Sequence, residues 1–73
     1  MPKRYSGKKI IKTLENAGFY QISQKGSHIK LRGLRKGQLR TAIVPNHKEV
    51  AVGTLQSILR QAAMTREEFE SYL

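Results

Sequence analysis

Residues 19–44 read FYQISQKGSHIKLRGLRKGQLRTAIV, and the side-chain pattern along them has a period of two. Phe19, Tyr20 and Ile22 favour an extended chain over residues 19–24. Lys25-Gly26-Ser27 has the composition of a tight turn. From His28 the alternation is regular: Ile29 and Leu31 point to one face, and His28, Lys30 and Arg32 point to the other. Gly33 to Gly37 reads as a basic loop. Thr41, Ile43 and Val44 make residues 40–44 a third strand, which Pro45-Asn46 closes. Three consecutive strands with short turns predict an antiparallel meander.

On either side of this stretch the period changes to that of a helix. Upstream, Ser6 is a good N-cap, and Ile10, Ile11, Leu14 and Ala17 share one face of a helix over residues 7–17, with Lys8, Lys9, Lys12 and Glu15 outward. Gly18 stops it, because glycine takes the left-handed conformation without a Cβ clash. Downstream, a second helix is expected from Thr54, as N-cap, to Ala63, with Leu55, Ile58, Leu59 and Ala62 as its apolar stripe. Thr65-Arg66-Glu67-Glu68 then matches a capping box for a short last helix, with Phe69, Tyr72 and Leu73 as its apolar contacts. The order is α-β-β-β-α plus a short helix, an α+β fold. So short a chain cannot keep both faces of a three-stranded sheet dry, so both main helices belong on one face and the other stays open.

The chain has 73 residues, with 14 Lys plus Arg against 5 Asp plus Glu and a formal net charge of +9. A chain of this size supports one core, and residues 1–73 read as a single domain. No apolar run approaches a membrane span, and Lys8, Lys9, Lys12 and Glu15 interrupt any signal-peptide core after the positive Met1–Tyr5 segment. The expected location is the cytoplasm. The absence of Cys removes disulfides, thiol nucleophiles and Cys-based zinc sites together. The charge is also uneven: residues 1–48 hold 12 basic side chains and 1 acidic, residues 49–73 hold 2 and 4. So concentrated an excess repels itself and points to an anionic partner such as nucleic acid, acidic lipid or an acidic protein.

The chemistry-bearing side chains gather around Lys25-Gly26-Ser27-His28, with Lys30 and Arg32 on the same polar strand face as His28. An imidazole is a side chain that can exchange protons near neutral pH, which suits it to act as a base. A base beside positive charge is what RNA cleavage requires when a 2′-hydroxyl attacks the neighbouring phosphate, and this needs no metal or cofactor. A turn glycine before a strand histidine is common, so on spacing alone an ordinary surface histidine is the favoured reading. His47, in Pro45-Asn46-His47-Lys48, reads as a structural residue or substrate contact. Ser27 as a nucleophile lacks an Asp to complete a triad. The five aromatic residues are too few for a base-stacking platform, so RNA recognition should rest on backbone charge and shape.

These residues together resemble the HicA toxins of HicA–HicB toxin-antitoxin modules. The resemblance is carried by Ser6-Gly7-Lys8, Gly18-Phe19, Gln24-Lys25-Gly26-Ser27-His28, Val44-Pro45 with His47, and Gly53-Thr54-Leu55 with Ser57-Ile58-Leu59. It implies a fold like the double-stranded-RNA-binding domain and an endoribonuclease that cleaves messenger RNA. It also implies His28 as general base and acid, and a HicB-like antitoxin that covers its face. The residues expected to hold RNA are Lys8, Lys9, Lys12, Lys25, Ser27, Lys30, Arg32 and His47, with no metal. Ala63-Met64 departs from the family's glycine-containing turn after the second helix. A non-catalytic double-stranded-RNA-binding module is the alternative that the same fold and charge allow.

Overall fold

The computed structural model describes residues 4–73; Met1-Pro2-Lys3, the start of the positive N-terminal segment, lies outside them. The elements are α1 (Gly7–Asn16), β1 (Tyr20–Lys25), β2 (His28–Arg35), β3 (Gln38–Pro45), α2 (Val52–Gln61) and α3 (Arg66–Ser71). The strands form one antiparallel sheet in the order β1-β2-β3, the meander expected from the alternation. Ile29, Leu31, Ala42 and Val44 fill one face of it and pack in a single core with Ile10, Leu14, Leu55, Ile58 and Leu59 of the two longer helices. No helix among the described residues is long and apolar enough to cross a membrane.

The basic loop expected from Gly33 to Gly37 is mostly strand. β2 and β3 stay paired as far as Arg35 and Gln38, leaving a two-residue turn at Lys36-Gly37. Both turn residues have positive φ, 52° and 78°, the twist that lets a hairpin close tightly. Gly33 is not a loop signal. A Cβ there would lie 2.7 Å from the Phe19 ring, so the glycine lets that ring lie flat on the sheet.

β1 carries a bulge. Its register with β2 shifts between Gln21 and Ser23, leaving Ile22 as the extra residue. Phe19 and Lys25 have the same parity, yet Phe19 is buried in the core while Lys25 pairs with His28 on the open side. The bulge reconciles the two, and it also puts Tyr20 opposite Arg32 on the open face.

Both longer helices end in the same motif. In α1 the Gly18 N–H donates to the Glu15 carbonyl and the Phe19 N–H to the Leu14 carbonyl, with Gly18 at φ 101°. In α2 the Ala63 and Met64 N–H groups donate to the Arg60 and Leu59 carbonyls, with Ala63 held at φ 54° where glycine would be unstrained. The start of α2 differs from expectation: Ala51, not Thr54, is its N-cap, and it makes no side-chain cap. Tertiary anchoring replaces the cap, since the Val50 N–H donates to the Tyr5 carbonyl and Val50 is buried.

The capping box of α3 is as the sequence indicates, with the Thr65 hydroxyl and Glu68 carboxylate each accepting a backbone N–H of the other residue. Glu68 also pairs with Arg35 at the end of β2, which ties α3 to the sheet. Of the three apolar residues assigned to this helix only Phe69 is buried, edge-on to Tyr5. Tyr72 is half-buried and Leu73 is exposed, because a helix of six residues turns only one face to the core.

Candidate functional site on the open sheet face

Alternation along β2 places His28, Lys30 and Arg32 on the face that no helix covers. Cross-strand pairing completes the neighbourhood: Lys25 and Pro45 flank His28, Ser23 and Ile43 flank Lys30, and Tyr20 and Thr41 flank Arg32. Ser23, Lys25, His28, Lys30 and Ile43 line one depression of about 540 Å3, a size that admits a nucleotide-sized group. His28 sits at the first position of β2, straight after the Gly26-Ser27 turn. Gly26 has φ 61°, so this two-residue turn also needs its glycine. The His28 ring makes no hydrogen bond among the described residues and is exposed, so both ring nitrogens are open to a ligand.

The local charge is not neutralised from within. Among the described residues Glu49, Glu68 and Glu70 pair with Arg4, Arg35 and Arg66, all away from the depression. Among the described residues Lys25 and Lys30 hold no ion pair, and Arg32 is steadied by its Nε–H donating to the Thr41 hydroxyl at 3.2 Å. No three His or Glu side chains come together among the described residues.

The structure divides the expected RNA-contact residues into groups. Lys25, Lys30 and Arg32 share the open face with His28. Lys8, Lys9 and Lys12 line a different groove, between α1 and β1, with Gln21, Gln24 and Asn46. Ser27 lies in the turn rather than in the depression, and its carbonyl accepts the Asn46 N–H at 2.7 Å. His47 is exposed, and its carbonyl accepts the Gly7 N–H at 2.8 Å, which fixes the loop after β3 against the start of α1. This contact accounts for Gly7: a Cβ there would fall 2.2 Å from the Pro45 carbonyl oxygen. Ser6-Gly7, Gly26-Ser27 and Pro45-Asn46-His47 therefore form one packed junction that sets α1 relative to the His28 turn.

Ser23, Ile43, Gln21, Gln24 and Asn46 were not singled out as site residues by the sequence pattern. Ile43 was available from β3 alternation, once that strand was paired with β2. Ser23 and Gln21 were not, because the bulge at Ile22 has no clear mark in the sequence.

A family model described as the HicA toxin of bacterial toxin-antitoxin systems matches residues 7–64. No curated protein matches the chain. The matched span runs from the first residue of α1 to the residue after Ala63, and so includes the whole sheet, α2 and every site residue named above.

Proposed function

The chain belongs to the HicA toxin family of bacterial toxin-antitoxin systems, and from that premise we propose that it is a metal-independent endoribonuclease of cytoplasmic messenger RNA, with His28 as general base and acid. The observation that carries this reading is the His28 imidazole, unengaged among the described residues, in a nucleotide-sized depression between two lysines that hold no ion pair there.

In the proposed reaction His28 accepts the proton of a 2′-hydroxyl. The 2′-oxygen bonds to the adjacent phosphorus, the bond from phosphorus to the 5′-oxygen breaks, and the 5′-oxygen takes up the proton. The products are a 2′,3′-cyclic phosphate and a 5′-hydroxyl end. Lys25, across from His28, and Lys30, next on the same face, meet the negative charge that builds on the phosphate oxygens. The depression has no carboxylate in its lining. Chelator should therefore leave the rate unchanged, and chelator-sensitive cleavage would count against the mechanism.

The partner follows from the same face. Tyr20, Leu34, Leu39 and Ile43 are exposed there beside the cations, a pattern that suits a protein presenting both acidic and apolar groups. A HicB-like antitoxin covering this face would block RNA access to His28.

The deciding experiment compares the wild-type chain with His28→Ala on end-labelled RNA. The expected result is a loss of roughly 10²- to 10⁴-fold in cleavage by the variant, with RNA binding retained. RNA that shifts on a gel but stays intact with the wild-type chain would instead support a non-catalytic RNA-binding module.

A further inference from the structure

The second groove has no part in the reaction just described. It lies on the other side of β1 from His28, with Lys8, Lys9 and Lys12 on its α1 wall and Gln21 and Gln24 on its strand wall. It is an open groove of about 670 Å3, within the volume range of sites that hold small ligands. We infer that this groove is a second RNA subsite, in which the three lysines hold phosphates of the strand flanking the cleaved bond and Gln21, Gln24 and Asn46 read its bases.

Three observations converge on this. The lysines are exposed on the first two turns of α1, and none is ion-paired among the described residues, so their charge is available to phosphate. Glu15, one turn beyond Lys12, also lines the groove and ends the cationic stretch. Opposite them stand carboxamides rather than the apolar residues a strand normally turns toward a helix. Gln21 and Gln24 pair across from Leu31 and Ile29, so they occupy the covered face of the sheet but lie beyond the dry core. An amide carries a donor and an acceptor side by side, the combination that recognises a base edge. Gln24 is already oriented, because its Nε2–H donates to the Gly26 carbonyl at 3.0 Å.

The path between the two subsites is open. β1 is an edge strand with all six residues exposed. The other edge of the sheet is partly closed, the Ile43 N–H of β3 donating to Gln61 of α2. Gln24 and Lys25 are chain neighbours that face opposite sides of β1, so a single RNA strand crossing this edge reaches both the groove and His28. Asn46 belongs to the junction that also holds the Gly26-Ser27 turn, which keeps the two subsites in fixed relation.

The inference rests on the ribonuclease reading for its biological use, but its test does not require cleavage. Binding is measured by fluorescence anisotropy on a 2′-O-methyl RNA library, which lacks the attacking hydroxyl. Lys9→Ala/Lys12→Ala should raise Kd roughly tenfold for all sequences and lower the slope of log K against log salt by about 1.4, the value for two lost phosphate contacts on a single strand. Gln21→Thr/Asn46→Ser leaves the Gln24 turn contact in place. It should keep the average Kd within about twofold while flattening sequence preference on one flank. Circular dichroism of each variant checks folding, and the cleavable RNA is assayed in parallel. Wild-type affinity, salt slope and preference in both folded variants overturns the inference, as does a wild-type chain that binds no RNA. Groove-dependent binding without cleavage by the wild-type chain leaves the subsite standing and removes the ribonuclease reading. Cleavage with groove-independent binding does the reverse.

Discussion

Ile29 and Leu31 on one face of β2, and His28 and Lys30 on the other, are chain neighbours that end in opposite environments. The first pair is sealed under α1 and α2, and Leu31 has no exposed surface at all. Of the second pair His28 is exposed and Lys30 half-buried, among cations that hold no ion pair among the described residues. In a chain of this size there is apolar surface for one dry face only, and the uncovered face becomes the place where charge and an imidazole are held with little desolvation. Stability and chemistry are thus assigned to opposite sides of the same strand, and substitutions on the two sides should have separable effects.

The largest contrast is between Leu31→Ala and His28→Ala. Truncating Leu31 opens a cavity in the core and should cost about 2–5 kcal/mol in denaturant unfolding, most of the stability of so small a domain. Removing the exposed His28 ring should change stability by less than about 0.5 kcal/mol while lowering RNA cleavage by roughly 10²- to 10⁴-fold. A His28→Ala protein that is strongly destabilised would show that the two faces are not independent.

Gly33→Ala tests the covered face more gently. Its Cβ meets the Phe19 ring, which must shift, and the expected loss is about 1–3 kcal/mol, read as a lower denaturation midpoint. Smaller still is the effect at the helix ends. Ala63→Gly relieves the positive φ at the end of α2 and should raise stability by about 0.5–1 kcal/mol, while Gly18→Ala at the equivalent position of α1 should lower it by a similar amount. Equal stability in Ala63→Gly and the parent would mean the Ala63 strain is absorbed elsewhere.

The smallest expected effect is on pH dependence. The Thr65 backbone N–H, and then the Arg35 guanidinium, hold the Glu68 carboxyl below its ordinary value near 4.5. A depressed carboxyl stabilises the fold fully above that value, and the contribution is lost as pH falls through the lower folded-state value. Urea titrations across the acidic range should show this decline in the parent chain and a shallower one in Glu68→Gln. Equal slopes would indicate that the Arg35–Glu68 tie contributes nothing to holding α3.

Much of the fold was legible because short-range rules and tertiary packing agree. Ser6, Gly18 and the Thr65 box mark helix ends by local hydrogen bonding, and the apolar stripes of α1 and α2 are the faces that became buried. Where they disagree, packing prevails. Thr54 is a better capping residue than Ala51, but the bridge between Tyr5 and Val50 starts the helix earlier. Gly33 resembles a loop signal, but its missing side chain serves the Phe19 ring. The site was legible in the same partial way. His28, Lys30 and Arg32 follow from β2 alternation alone, whereas Ser23 and Gln21 depend on a bulge that pattern reading does not register.

The sequence by itself determined the element order, the polar face of β2 and the excess positive charge, because these depend on residue type and on a spacing of two or of 3.6 along the chain. Only the tertiary structure decided that the cations fall into two separate groups. Lys25, Lys30 and Arg32 gather around His28, and Lys8, Lys9 and Lys12 line the groove behind β1. The physical reason is the junction at Gly7, Pro45 and Ser27. Its backbone contacts, Asn46 to Ser27 and Gly7 to His47, join segments far apart in the chain and hold α1 with its three lysines behind β1, while the bulge at Ile22 puts Lys25 on the His28 side.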